Sequence, residues 1–134
     1  MHRATVRCAT SAEAALAFLA DGLQLGRWAL GCWRTEPVGE GVVRGHSLFD
    51  GAPGWVRPVA DAGARSVTYH VGNSPEALVP RIVARVQPEP DGTYCSITLE
   101  AERTPGMDDA RWLRLVRCHE VEVLLIEALL ARRR

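Results

Sequence analysis

The sequence predicts an α+β fold in which a curved antiparallel sheet of about seven strands grips a long C-terminal helix. Three features of the chain point there. From Gly31 onward, short runs rich in Val, Trp, Tyr and Thr recur between glycine-bearing turns, as strands do. The connections between these runs are short, so neighbouring strands pair antiparallel and do not form βαβ units. The chain then closes with an amphipathic stretch whose apolar stripe needs a large partner surface, and the dry face of the sheet is the one available.

In chain order, His2 to Cys8 alternates, with Ala4, Val6 and Cys8 on one side and Arg3, Thr5 and Arg7 on the other. This is the pattern of a half-buried strand. Thr10 precedes Glu13 by three residues, the spacing of a capping box, and Ala14, Ala15, Leu16, Phe18 and Leu19 continue as a short amphipathic helix. Asp21-Gly22 ends it, and Leu23 to Trp28 adds a further helical turn. Strands are expected over Cys32–Pro37, Val42–Asp50, Trp55–Asp61, Ser66–Val71, Arg81–Gln87 and Tyr94–Arg103. Pro90-Asp91-Gly92 joins the last two as a hairpin. In those two strands Ile82, Ala84, Val86, Cys95, Ile97, Leu99 and Ala101 share a dry side, while Arg85, Thr98 and Glu100 face water.

Pro105-Gly106 stops the last strand, Asp108 can cap the final helix, and Asp109 sits in its first turn. That helix is read to the C-terminus, about 27 residues or roughly 40 Å. Its apolar stripe is Trp112, Val116, His119, Val123, Ile126 and Leu130, widened by Leu115 and Leu129, with no Asp or Glu read on it. The terminal Arg132, Arg133 and Arg134 complement the negative end of the helix dipole.

Composition narrows function. The chain of 134 residues is the length of one domain, so residues 1–134 are read as a single unit. Its 47% hydrophobic content argues against disorder. Sixteen basic and 16 acidic residues cancel, which argues against nucleic-acid binding, since that needs a surplus of positive charge on one face. Every basic residue is Arg. Without lysine, no Schiff base, pyridoxal phosphate linkage or Walker-type phosphate clamp can form on this chain. Cys8, Cys32, Cys95 and Cys118 make no C-x-x-C pair and are read as small buried hydrophobes in a reducing compartment. No apolar run reaches membrane-spanning length, so a cytoplasmic location is expected.

The order of strand, two short helices, six antiparallel strands and a long terminal helix resembles the START-like, or SRPBCC, superfamily with its helix-grip fold, including the polyketide cyclase/dehydrase-like proteins. The resemblance covers essentially the whole chain. It rests on the opening strand with Thr10-Ser11-Ala12-Glu13, on Phe18-Leu19, on Leu25 to Trp28, on Gly39 to Gly45 and on the terminal helix. It implies a deep cavity between sheet and helix that takes an apolar, aromatic or lipid-like ligand. It carries over no catalytic motif.

Candidate site residues follow from the stripe and the aromatics. His119 lies mid-stripe, where an imidazole can orient a ligand carbonyl or move a proton, or else simply be a buried, hydrogen-bonded histidine. Tyr69 shares a strand face with Val67 and Val71, so its ring is expected inward with its hydroxyl seeking a partner. Trp112, Val116, Val123, Trp33, Trp55, Cys95 and Ile97 are expected to line the ligand space, although the tryptophans serve equally well as core filling. Arg57 joins them if its strand face, shared with Trp55 and Val59, points inward. The segment Gly72 to Pro80 is a lid or a plain connector. No cofactor is implied, and a metal site is not expected, because His119, Glu120 and Glu122 do not form the H-E-x-x-H arrangement. Three functions remain open: a cyclase or dehydratase using His119 and Tyr69, a non-enzymatic carrier with the same cavity, or an interaction module with a filled core. A homodimer is an open alternative.

Overall fold

The computed structural model describes residues 1–131. Arg132 to Arg134, and the dipole role expected of them, lie outside the described residues. The elements are β1 (His2–Cys8), α1 (Ala12–Ala20), α2 (Gly22–Leu25), β2 (Trp33–Gly39), β3 (Val42–His46), β4 (Pro53–Asp61), β5 (Ser66–Gly72), β6 (Val79–Pro88), β7 (Cys95–Ala101) and α3 (Asp109–Ala131). The strands form one antiparallel sheet in the order β1-β7-β6-β5-β4-β3-β2. Consecutive strands pair as a meander, and β1 closes the order by pairing with β7. This is the helix-grip arrangement expected from the sequence.

Local chemistry sets the boundaries. Ser11, not Thr10, caps α1: its hydroxyl accepts the Ala14 N–H at 3.1 Å. Asp108 caps α3 by accepting the Arg111 N–H at 2.8 Å. The hairpin between β6 and β7 turns at Gly92 (φ 76°), and Asp91 accepts the Thr93 N–H at 3.0 Å. β3 ends at His46 and does not reach Asp50, because Ser47 to Gly51 folds into a hydrogen-bonded turn. β6 begins at Val79, so the connector from β5 is only residues 73–78, shorter than the sequence implied.

The dry face is asymmetric. Around β1, β7, α1 and the second half of α3, apolar side chains close into a filled core that includes Cys8, Phe18, Leu19, Cys95, Ile97, Leu99, Ile126 and Leu130, all essentially inaccessible. On the wet face, Glu100 accepts from Arg3 at 3.0 Å and from Arg85 at 2.8 Å, tying β1 and β6 across β7. Toward β3, β4 and β5 the first half of α3 stands away from the sheet, and the space between them is not filled.

Candidate functional site: a cavity under the first half of the terminal helix

The unfilled end is a cavity of about 640 Å³. Its sheet wall is built from Val56, Tyr69, Val71 and Ile82. The segment after α2 contributes Leu25, Trp28, Ala29 and Cys32, and α3 contributes Leu115, Cys118, His119 and Glu122. Exposed residues border the mouth, among them Phe49, Asp50, Arg81, Glu102, Arg111 and Arg114. The Arg114 guanidinium sits 5.1 Å above the Phe49 ring, joining α3 to the turn after β3 at that mouth.

His119 and Glu122 form the polar floor. They are 3% and 6% exposed. His119 Nε2 lies 3.9 Å from Glu122 Oε1, beyond hydrogen-bond length. Glu122 Oε2 accepts the Leu30 N–H at 2.9 Å. Burial pushes the Glu122 carboxyl up to about 8, with the Leu30 hydrogen bond working the other way. Burial, helped by the nearby His2, pushes the imidazole down to about 4. The His2 and His119 ring centres are 6.4 Å apart. At neutral pH the floor is therefore a protonated carboxylic acid beside a neutral imidazole. Two buried nitrogens here, His119 Nδ1 and Trp28 Nε1, have no hydrogen-bond partner among the described residues.

Tyr69 projects its ring into the wall and packs edge-on against Trp28, with ring centres 5.7 Å apart. Its hydroxyl is not free to donate. It gives its one proton to the Leu19 carbonyl at 2.7 Å, and burial, with Glu122 nearby, holds its pKa well above the usual phenol value.

Of the residues singled out from sequence, His119 and Tyr69 line the cavity and Trp55 touches its rim. The others do not. Val123 is buried in the filled core, while Trp112 and Val116 are half-buried and do not border the cavity. The cavity side is the neighbouring stripe Arg111, Leu115, Cys118 and Glu122, turned by roughly a quarter of the helix circumference at 3.6 residues per turn. Cys95 and Ile97 are fully buried in the filled end. Trp33 pairs with His46 at the far strand of the sheet. Arg57 lies on the outer face: Trp55, two residues before it, pairs with exposed Arg44, whose guanidinium lies 5.9 Å from the indole. The Arg57 guanidinium donates to the Glu40 carbonyl at 3.4 Å.

The residue the sequence reading missed is Glu122. Sequence periodicity places it off the apolar stripe, beside an incomplete metal motif. Its signal was present: a lone acid between Val121 and Val123, one turn from His119. Among the described residues no cluster of His, Cys, Asp and Glu has the geometry to hold a metal ion.

No protein-family model matches the chain, and no curated protein matches it. Solved structures do. The Zhui aromatase/cyclase from Streptomyces sp. R1128 superposes with a TM-score of 0.70 at 20% identity, over 98% of this chain and 93% of that one. A START superfamily protein from Mycobacterium smegmatis gives 0.65 at 14% identity, over 99% and 98%. The chain has the START-like fold. An uncharacterized protein from Bacillus thuringiensis shares it at a TM-score of 0.71 and 13% identity, over 96% and 97%. In this START-like chain no helix among the described residues is long and apolar enough to cross a membrane.

Proposed function

We propose that this protein binds an apolar, aromatic or lipid-like small molecule in the cavity, with the ligand's polar end at His119 and Glu122. The observation that carries the reading is a buried imidazole and carboxyl, 3.9 Å apart, at the floor of a cavity of about 640 Å³ with apolar inner walls and a polar mouth. That volume is within the range of small-molecule sites, which combine apolar walls with a few convergent polar groups. The likeness of the fold to an aromatase/cyclase and to a START protein supports the same reading.

If chemistry follows binding, it is proton transfer of the cyclase or dehydratase kind. Protonated Glu122 can donate to a carbonyl or to a departing hydroxyl. His119 accepts a proton, and the carboxylate forming 3.9 Å away stabilises the resulting imidazolium. Tyr69 serves as wall and anchor. The alternative is a carrier, which needs the same cavity and no turnover. A core filled by tryptophan fits less well, because Trp33 and Trp112 lie away from the open volume.

Trp28 on the cavity wall makes intrinsic fluorescence a direct reporter. Titration with aromatic polyketides, flavonoids, fatty acids and sterols should give saturable quenching and a raised Tm for at least one class. No response to any class overturns the proposal. Where turnover accompanies binding, His119→Ala should lower it about 10²–10⁴-fold with affinity largely kept. Unchanged turnover removes His119 from the chemistry.

A further inference from the structure

The solvent face of α3, opposite the cavity, is not an ordinary wet helix surface. Leu113 is 48% exposed, Val121 46% and Leu124 59%. Arg117 and Glu120 lie between them and are exposed. Neither side chain makes a hydrogen bond or ion pair among the described residues. At 3.6 residues per turn Leu113, Arg117, Glu120 and Leu124 fall within about 60° of one another, on one stripe.

The spacing of that stripe reads the same way in both directions, and its two central charges are of opposite sign. The steps are four, three and four residues, with a leucine at each end and opposite charges in the middle. If a second copy of the helix lies antiparallel with the twofold axis between Cys118 and His119, Leu113 meets Leu124 and Arg117 meets Glu120, and each contact occurs twice. This is what an isologous interface requires. Pairs three and four residues apart on one helix are neighbours, so both kinds of contact form on the same ridge.

A groove of about 430 Å³ lies beside the first half of this face, lined by Leu30, Phe49, Ala110, Leu113, Cys118 and Val121, among others. The twofold brings Leu124 of the second copy, the more exposed leucine, over Leu113 at this groove. Groove and protruding leucine thus occupy positions that the same symmetry exchanges.

We infer that α3 is a homodimer interface, with two copies packing antiparallel through Leu113, Arg117, Glu120 and Leu124. The occupant is a second copy because the charge order complements itself; an unrelated helix would have no reason to match it. One helix pair is a small interface, so association is weak and concentration-dependent.

The test is sedimentation equilibrium of the full chain over roughly 1 µM to 1 mM, where interfaces of this size associate. The mass should rise from one chain toward two. Arg117→Glu or Glu120→Arg alone puts like charges opposite each other and should weaken association about tenfold or more. The doubly reversed chain, R117E with E120R, restores both pairs and should recover the dimer. Leu124→Glu should leave a folded monomer by circular dichroism. A monomer throughout the concentration range overturns the inference. So does a dimer indifferent to the charge reversals, which would place the interface elsewhere.

Discussion

His119 Nε2 and Glu122 Oε1 face each other at 3.9 Å without a hydrogen bond, and burial keeps the imidazole unprotonated and the carboxyl protonated at neutral pH. Each group reaches this state by losing water, which penalises its charged form. The pair therefore presents a proton donor and a proton acceptor to the cavity while carrying no net charge.

The pair also predicts an unusual pH profile of stability. Glu122 binds its proton more tightly folded, at about 8, than its ordinary 4.5, so stability falls as pH rises from about 4.5 to 8. His119 binds its proton less tightly folded, at about 4, than its ordinary 6.5, so stability rises between about 4 and 6.5. The two slopes oppose each other up to pH 6.5. Above it the Glu122 slope is alone, and the protein should lose about 2 kcal/mol by pH 8. Glu122→Gln should abolish that loss and uncover a rise from pH 4 to 6.5. His119→Gln should extend the fall down to pH 4.5. Urea melts at half-unit pH intervals decide it, and a flat profile above pH 6.5 in the unmodified chain would falsify the ionisation states argued here.

The strands and the ends of the sheet were legible because half-buried strands write their sidedness into alternation, as in Cys95, Ile97, Leu99 and Ala101. The cavity was harder to read. Hydrophobic periodicity locates the face of a helix that meets a packed core, here Val123, Ile126 and Leu130. A face that borders open space need not be apolar: Leu115 falls on the widened apolar stripe, but Arg111, Cys118 and Glu122 carry no such signature. For the same reason Trp112 and Val116 looked like cavity walls. Pro58 left the sidedness of Trp55, Arg57 and Val59 undecided, and it took the pairing of Trp55 with Arg44 to settle it. The hydroxyl of Tyr69 finds its acceptor 50 residues away at Leu19, a distance no local pattern encodes.

That hydroxyl yields the second prediction. Tyr69→Phe keeps the ring against Trp28 but leaves the buried Leu19 carbonyl without this donor. The loss should be about 1–3 kcal/mol. Ligand affinity should change little, since the proton never faces the ligand. A variant of full stability but reduced affinity would show that the hydroxyl turns toward the cavity when ligand binds.

Filling the cavity tests its volume directly. Leu115 projects from the half of α3 that stands away from the sheet, so Leu115→Trp places a large ring in open space instead of in a packed core. Overpacking normally costs about 1–3 kcal/mol. Here Tm should hold or rise, while affinity for the best ligand in the panel falls at least about tenfold, worth 1.4 kcal/mol. A strongly destabilised variant would mean the space is already occupied by packed side chains.

Cysteine accessibility separates the open end from the filled end. Cys8, Cys32 and Cys95 are buried, whereas Cys118 is half-buried on the cavity wall, one turn before Glu122. Burial raises all four thiols, Cys8 to about 12 and Cys32 to about 11. The thiolate is the reactive form, so labelling should be slow at neutral pH and should speed up as pH rises. In the folded chain Cys118 should react first, Cys118→Ser should remove the fast phase, and a bound ligand should slow it. Protection by ligand reports the cavity side of the thiol, since Cys118 also borders the groove along the outer side of α3. Rapid labelling of Cys8 or Cys95 instead, with Cys118 inert, would mean that the opening lies beside β1 and β7 and that the floor described here is closed.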